Sequence, residues 1–100
     1  MKVFISGKMT GLTEEEYQAK FARAAQKLTG AGYEVFNPAA PEWNDPMHEA
    51  GLSYGDMLIL DFRKLQECDA IYLLSNWQSS KGSTAERAFA DAIGLEIMYE

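Results

Sequence analysis

The sequence is poor in cysteine, histidine and proline, with one, one and three of them among 100 residues. The single cysteine, Cys68, excludes an internal disulfide and a cysteine-based metal site, which predicts a protein of the reducing cytoplasm. No apolar run approaches the roughly 18 residues of a membrane-spanning helix. The short apolar run Val3–Ile5 lacks the length and cleavage site of a signal peptide. We therefore expect a cytoplasmic protein with no membrane partner and no bound metal.

Basic residues are also scarce, because nine Lys and Arg stand against fifteen Asp and Glu, for a formal net charge of −6. Proteins that bind duplex nucleic acid carry a basic stripe or patch, and the sequence has no such cluster. Charge thus argues against DNA and RNA as partners. A small anionic ligand stays open, since a few backbone amides can bind a phosphate locally.

Hydrophobic residues make up 47% of the chain and aromatic residues 12%, which is enough to build one core. One hundred residues allow a single domain, which we assign to residues 1–100. Apolar and β-branched runs predict four strands, at 2–6, 33–36, 70–74 and 95–98. Apolar residues at helical spacing predict three helices, at about 13–30, 53–67 and 83–93.

Strands that alternate with helices predict an α/β protein with a parallel sheet and right-handed crossovers. Such sheets bind ligands at the carboxyl ends of their strands. Residues 38–55 hold all three prolines and are predicted to form a long loop that is functional or mobile. The loops at 6–11, 37–45 and 75–82 follow strand ends, so they are the predicted location of a site.

Asp61 is a carboxylate on an apolar face of the second predicted helix, between Met57 and Leu65. Burying a carboxylate is costly unless it is hydrogen-bonded or paired. The pattern alone favours a place at the edge of the apolar stripe, where Asp61 would pair with Arg63 or Lys64. A functional carboxylate is the alternative.

Glu86 also has two interpretations. It follows Ser83 by three residues, which is the spacing of a capping box, and spacing alone favours this structural role. Alternatively, Glu86 projects from a helix start into the cleft above the sheet, where the helix dipole would favour its ionised form.

The loop Ser6–Gly11 could bring backbone amides against a phosphate, because glycine allows close approach. It matches neither of the common phosphate-loop motifs, so an ordinary turn is equally compatible. His48 has no partner that would make it a base or a ligand. Trp43 and Trp77 could stack on a base or pack over a core edge.

Taken together, these segments resemble the nucleoside 2-deoxyribosyltransferase superfamily, and in particular its short members from bacteria and their phages. Residues 3–7 resemble the opening strand and ligand loop of the family, and residues 32–38 resemble its second strand. Residues 61–70 resemble its motif of two aspartates separated by seven residues. Residues 80–86 resemble the segment that ends in its nucleophilic glutamate.

The resemblance implies a three-layer flavodoxin- or Rossmann-like sandwich with a parallel sheet of strand order 2-1-3-4. It implies that Glu86 attacks the anomeric carbon of a nucleotide or nucleoside, with Asp61 assisting, as in retaining glycosidases. No cofactor is implied, and related enzymes complete their sites as homodimers. The implied substrate and phosphate contacts are Ser6, Gly7, Lys8, Met9, Ser80 and Gly82.

Ser80 departs from the transferases that use free nucleosides, which carry aspartate at this place. In this respect the chain is similar to relatives that hydrolyse 2′-deoxynucleoside 5′-monophosphates. The printed sequence also ends before a C-terminal segment that carries further substrate contacts in longer relatives. The alternatives to an enzyme are a non-catalytic nucleotide-binding module and a protein-interaction module on the same scaffold.

Overall fold

The computed structural model, which describes residues 1–100, contains four short strands and four α-helices, with two consecutive helices between the second and third strands. The strands are β1 (Lys2–Ser6), β2 (Glu34–Phe36), β3 (Ala70–Leu73) and β4 (Glu96–Tyr99). The helices are α1 (Glu14–Gly30), α2 (Pro41–Glu49), α3 (Tyr54–Gln66) and α4 (Lys81–Ala92). Each predicted strand is present within one residue of its expected bounds.

The sheet is parallel throughout and its strands lie in the order β2-β1-β3-β4, which confirms the predicted topology. Ser6 at the end of β1 is in register with Leu73 at the end of β3. Leu73 is in turn in register with Tyr99 at the end of β4. The carboxyl ends of three strands therefore meet along one edge.

Apolar side chains cover both faces of the sheet. Val3 and Ile5 point to one face, where Phe21 and Leu28 of α1 pack against them. Phe4, between them in sequence, points to the other face. There it joins a second cluster with these buried residues of β3, α3, α4 and the connection before β3: Leu65, Cys68, Ile71, Leu73 and Ala90. The alternation of β1 thus produces the three-layer sandwich that was predicted.

The loop predicted at 38–55 is wrong in part, because α2 lies within it. Proline obscured this helix, although Pro41 occupies a first-turn position, where its missing N–H costs nothing. Pro46 lies within the helix, and the preceding cap residue, Ala40, provides no side-chain hydrogen bond. Only Asn44 and Met47 of this helix are buried.

The capping box predicted at Ser83 and Glu86 is also wrong. Helix α4 begins one turn earlier, with Ser80 as its N-cap, and the Ser80 hydroxyl accepts a hydrogen bond of 3.1 Å from the Ser83 N–H. Glu86 therefore lies beyond the first turn and is only 6% exposed. A single 3-10 turn at Trp77–Ser79 interrupts the predicted loop before it.

Candidate active site

A cleft of about 230 Å³ opens at the carboxyl edge of the sheet, between the end of β1 and helices α2, α3 and α4. Its walls combine aliphatic and aromatic side chains with a small group of serines, carboxylates and glycines. No lysine or arginine lines it. Of the predicted contacts, the structure brings together these residues: Ser6, Gly7, Met9, Asp61, Ser80, Gly82 and Glu86.

Lys8 is the predicted contact that the structure leaves outside the cleft. Its backbone N–H donates a 3.1 Å hydrogen bond to the Asn76 side chain, and its side chain lies along Gly11. Lys8 therefore connects its own loop to the loop after β3, and it is not among the residues that line the cleft.

Ser6 and Glu86 form the floor of the cleft. The Ser6 hydroxyl, at the last residue of β1, donates a 2.6 Å hydrogen bond to Oε1 of Glu86. Both residues are buried, and the two arrive from the sheet and from the second turn of α4. The bond fixes Oε1 of Glu86, and the second carboxyl oxygen stays available to other groups of the cleft.

Asp61 comes from the middle of α3 and lines the same cleft as Glu86, so close to it that each carboxyl group shifts the pKa of the other. The Trp43 indole N–H donates to Oδ1 of Asp61 at 3.3 Å. The surface pairing considered from the sequence is absent, because Lys64 instead lies 3.6 Å from Glu67. Asp61 is thus a member of the cleft.

The two carboxyl groups behave as one titrating unit. Burial, and then the nearby charge of Asp61, raise the pKa of Glu86 well above its usual value, although the Ser6 hydroxyl opposes this. Burial also raises the pKa of Asp61, offset by its hydrogen bonds to Glu86 and Trp43. Two carboxylates in contact, with no cation beside them, cannot both ionise at low cost. The first proton that the pair takes up therefore goes mainly to Glu86, whose pKa is raised well above its usual value.

The N-terminus of α4 forms the wall beside this pair. Gly82 and Ser83 line it, and the Ser83 hydroxyl is buried without any hydrogen-bond partner. Backbone amides at the start of a helix favour an anion, and a buried hydroxyl without a partner can donate a hydrogen bond to a ligand. This wall is suited to the oxygen atoms of a ligand.

Tyr54 is a residue of the cleft that sequence reasoning missed as a site residue. It is the first residue of α3, and its hydroxyl lies against the backbone of Gly82, so closely that a Cβ at position 82 would overlap it. Burial, followed by the charges of Glu86 and Asp61, raises the pKa of Tyr54. The Ser53–Asp56 capping box marks the start of this helix in the sequence, but no feature of the neighbouring sequence indicates that the Tyr54 ring lies in the cleft.

Helix α2 adds three further cleft residues, namely Asn44, Met47 and His48. Asn44 donates a 3.1 Å hydrogen bond to the Tyr17 hydroxyl of α1, and both line the cleft. His48 lines the mouth and is exposed. No group of three or more His, Cys, Asp or Glu side chains converges anywhere to hold a metal ion. No helix is long and apolar enough to cross a membrane.

These features define a class of protein, namely a three-layer parallel α/β domain with an Asp–Glu carboxyl pair in a ligand-sized cleft, in which Glu86 is buried and Asp61 is half-buried. The chain belongs to the DUF4406 family, described as a domain of unknown function, whose sequence profile matches residues 1–99. No protein of curated function matches it.

A solved structure of similar fold is the CMP N-glycosidase BcmB of Clostridium botulinum. The two share 22% sequence identity with a TM-score of 0.64, over 99% of this chain and 67% of the other. At this identity the likeness establishes the fold.

Proposed function

We propose that this chain cleaves the N-glycosidic bond of a nucleotide or nucleoside, or transfers its deoxyribosyl group, as one nucleoside 2-deoxyribosyltransferase-like domain. The observation that carries the proposal is the Asp61–Glu86 pair, two carboxyl groups that lie together in a cleft with apolar walls. Two carboxyl groups with one proton supply an acid and a nucleophile, the two groups that a retaining glycosidase needs. The BcmB fold, which serves an N-glycosidase, supports the proposal as an analogy.

The reaction begins when the proton passes from Glu86 to Asp61. The Glu86 carboxylate then attacks the anomeric carbon, and the bond to the base breaks as the base takes the proton from Asp61. The sugar is left bonded to Glu86 as an ester. Water, or a second base, attacks the same carbon while Asp61 accepts its proton, which releases the sugar and regenerates the pair.

A 5′-phosphate would bind at the start of α4. The Ser80 hydroxyl accepts from the Ser83 N–H and keeps its own proton free to donate, and the Ser83 hydroxyl has no partner. The Ser6 hydroxyl already donates to Glu86, so the phosphate contacts of its loop would come from the backbone of Gly7 and Met9. Serine at position 80 also avoids the negative charge that an aspartate would place there.

The test is to incubate the protein with deoxynucleosides, ribonucleosides and their 5′-monophosphates, and to follow free base by chromatography. We expect base release from at least one monophosphate, faster than from the matching nucleoside, and none from Glu86→Gln. If no base is released but nucleotides raise the melting temperature, the chain is a non-catalytic nucleotide-binding module. If neither occurs, it is a protein-interaction module.

We also propose that the chain forms a homodimer through residues 43–54 and helix α3. Two large side chains of α3 are exposed, namely Tyr54 beside the cleft at 53% and Ile59 on another side of the helix at 55%. A second copy over this region would cover the mouth of the cleft beside Tyr54. Light scattering should give about twice the chain mass of 11.2 kDa, and Ile59→Asp should reduce it to one chain.

A further inference from the structure

Trp43 makes a contact that the proposed reaction does not explain. Its indole N–H donates to Asp61 Oδ1 at 3.3 Å, and it is the side chain outside the carboxyl pair that hydrogen-bonds to Asp61. Trp43 belongs to α2, a helix with only two buried residues. The contact is therefore a link between a lightly anchored helix and the centre of the cleft.

The indole is held in place from two sides. The Phe36 ring, at the end of β2, meets it edge to face at 5.1 Å between centroids and 85° between planes. The Lys64 ammonium lies 5.4 Å from the Trp43 ring and 5.6 Å from the Phe36 ring. Lys64 is itself paired with Glu67 at 3.6 Å. Contacts from a strand and from α3 thus aim one N–H bond at one carboxylate oxygen.

We propose that Trp43 is a positioning residue of the active site, which fixes the Asp61 carboxyl group and thereby keeps the shared proton on Glu86 until substrate binds. The inference rests on the proposed function, since it concerns how the same pair is made ready for its reaction. Nothing in the likeness to other proteins assigns a role to this residue.

The chemistry of the indole supports this role. An indole N–H is only a donor, so it forms a stronger hydrogen bond with the ionised Asp61 carboxylate than with the neutral acid. The groups that face the pair are Ser6, Tyr54 and Trp43, and none is a cation. Trp43 therefore provides the bias toward ionised Asp61, as Ser6 does for Glu86. Without this hydrogen bond, the first proton would be shared more evenly between Asp61 and Glu86, and the Asp61 carboxyl group would be free to rotate.

A direct test needs no substrate. The protein has two tryptophans, so its ¹⁵N spectrum holds two indole N–H signals, which Trp43→Phe and Trp77→Phe assign. We expect the Trp43 signal to move with pH as the pair titrates, and this movement to vanish in Asp61→Asn. Trp77 lies outside the cleft against Tyr99 and Arg87, so its signal should not respond to that substitution. A Trp43 signal that does not respond to Asp61→Asn overturns the proposal.

The second test measures base release by Trp43→Phe against Trp77→Phe. Phenylalanine keeps the packing on Phe36 but removes the donor, so we expect kcat to fall about 10- to 100-fold, as for a misplaced catalytic group. The acid limb of the pH profile should move to higher pH, because Asp61 now protonates more readily, whereas a loss of packing alone would not move it. An acid limb unchanged from the wild type contradicts the proposal. If the wild type releases no base, the proposed function fails, and the indole titration still decides the role of Trp43.

Discussion

The Ser6 hydroxyl and the Glu86 carboxyl group, 80 residues apart in the chain, form a 2.6 Å hydrogen bond that joins the sheet to α4. Ser6 is the last residue of β1, so the register of the sheet sets the position of its oxygen. The bond favours the ionised form of Glu86 and thus opposes the effect of burial. Ser6 is where the fold acts most directly on the proposed nucleophile.

Ser6→Ala should therefore impair base release more than it impairs folding. Loss of a hydrogen bond to a charged group costs about 1.5–3 kcal/mol, which corresponds to a rate lower by about 10- to 100-fold. Ser83→Ala is the matched control for stability, since its buried hydroxyl has no partner and its loss should be nearly neutral. Denaturant melts of both variants and the rate of base release by Ser6→Ala are the measurements. Equal rates for Ser6→Ala and wild type would contradict the role of Ser6.

Glu86→Gln should abolish turnover and preserve the fold. The glutamine oxygen can still accept from Ser6, and its amide can donate to Asp61, so it reproduces protonated Glu86. It cannot form the sugar ester. We expect base release to fall by orders of magnitude. Asp61→Asn should behave alike, while circular dichroism and thermal melts should show a fold at least as stable as the wild type.

The stability of the wild type should fall as pH rises above the usual pKa of 4.5 for Glu86. The folded protein holds this proton more tightly than the unfolded chain, so deprotonation is linked to unfolding. The stabilisation is complete below pH 4.5 and is lost as pH rises through the higher folded pKa. Glu86→Gln lacks the group, so its stability should not fall over this range and it should be more stable than the wild type at pH 8. Parallel stability curves would contradict the raised pKa.

Two glycine substitutions should separate packing from binding. At Gly7, an added Cβ would lie 2.5 Å from Leu74 Cδ1 in the core, so Gly7→Ala should destabilise by about 1–3 kcal/mol. At Gly82 the obstacle is the exposed Tyr54 side chain, which can move away. Gly82→Ala should therefore keep its stability, since alanine favours helix, and lose nucleotide affinity. Calorimetric melts and ligand titration would distinguish these outcomes.

The Cys68 thiol should be inert in the native protein. Burial raises its pKa to about 11, and the residue is only 5% exposed. The thiolate is the reactive form, so at pH 8 a thiol reagent should label Cys68 only when the chain opens. Labelling in increasing urea should follow the unfolding transition measured by circular dichroism. Rapid labelling without denaturant would show that the connection between α3 and β3 opens independently.

The strands and α1 could be predicted because their signals are local. Alternating and continuous apolar runs identify strands, and the Thr13–Glu16 capping box marks where α1 begins. Helix α2 was missed because Pro46 lies within it and Ala40 provides no cap. The start of α4 was misplaced because Ser80 and Ser83 both fit the cap pattern, and only the observed hydrogen bond distinguishes them.

The site was harder to predict than the fold, for a physical reason. Asp61 and Glu86 are 25 residues apart, and spacing within each helix favoured an ordinary structural role for both. Only the family resemblance brought them together before the structure did. Tyr54 and Trp43 reach the cleft through tertiary packing, which has no periodic signature in the sequence.

The uneven burial along the chain has a consequence for native-state hydrogen exchange. In residues 41–66 only Asn44, Met47 and Leu65 are buried, whereas every residue of β3 is. Segments with few buried apolar contacts open at lower free energy than the core. Amides of α2 and the first turns of α3 should therefore exchange through local opening, and those of β1 and β3 only through global unfolding. A ligand that bridges Asp61 and Glu86 should slow amide exchange chiefly in α2 and α3. Binding would then be coupled to the ordering of these two helices.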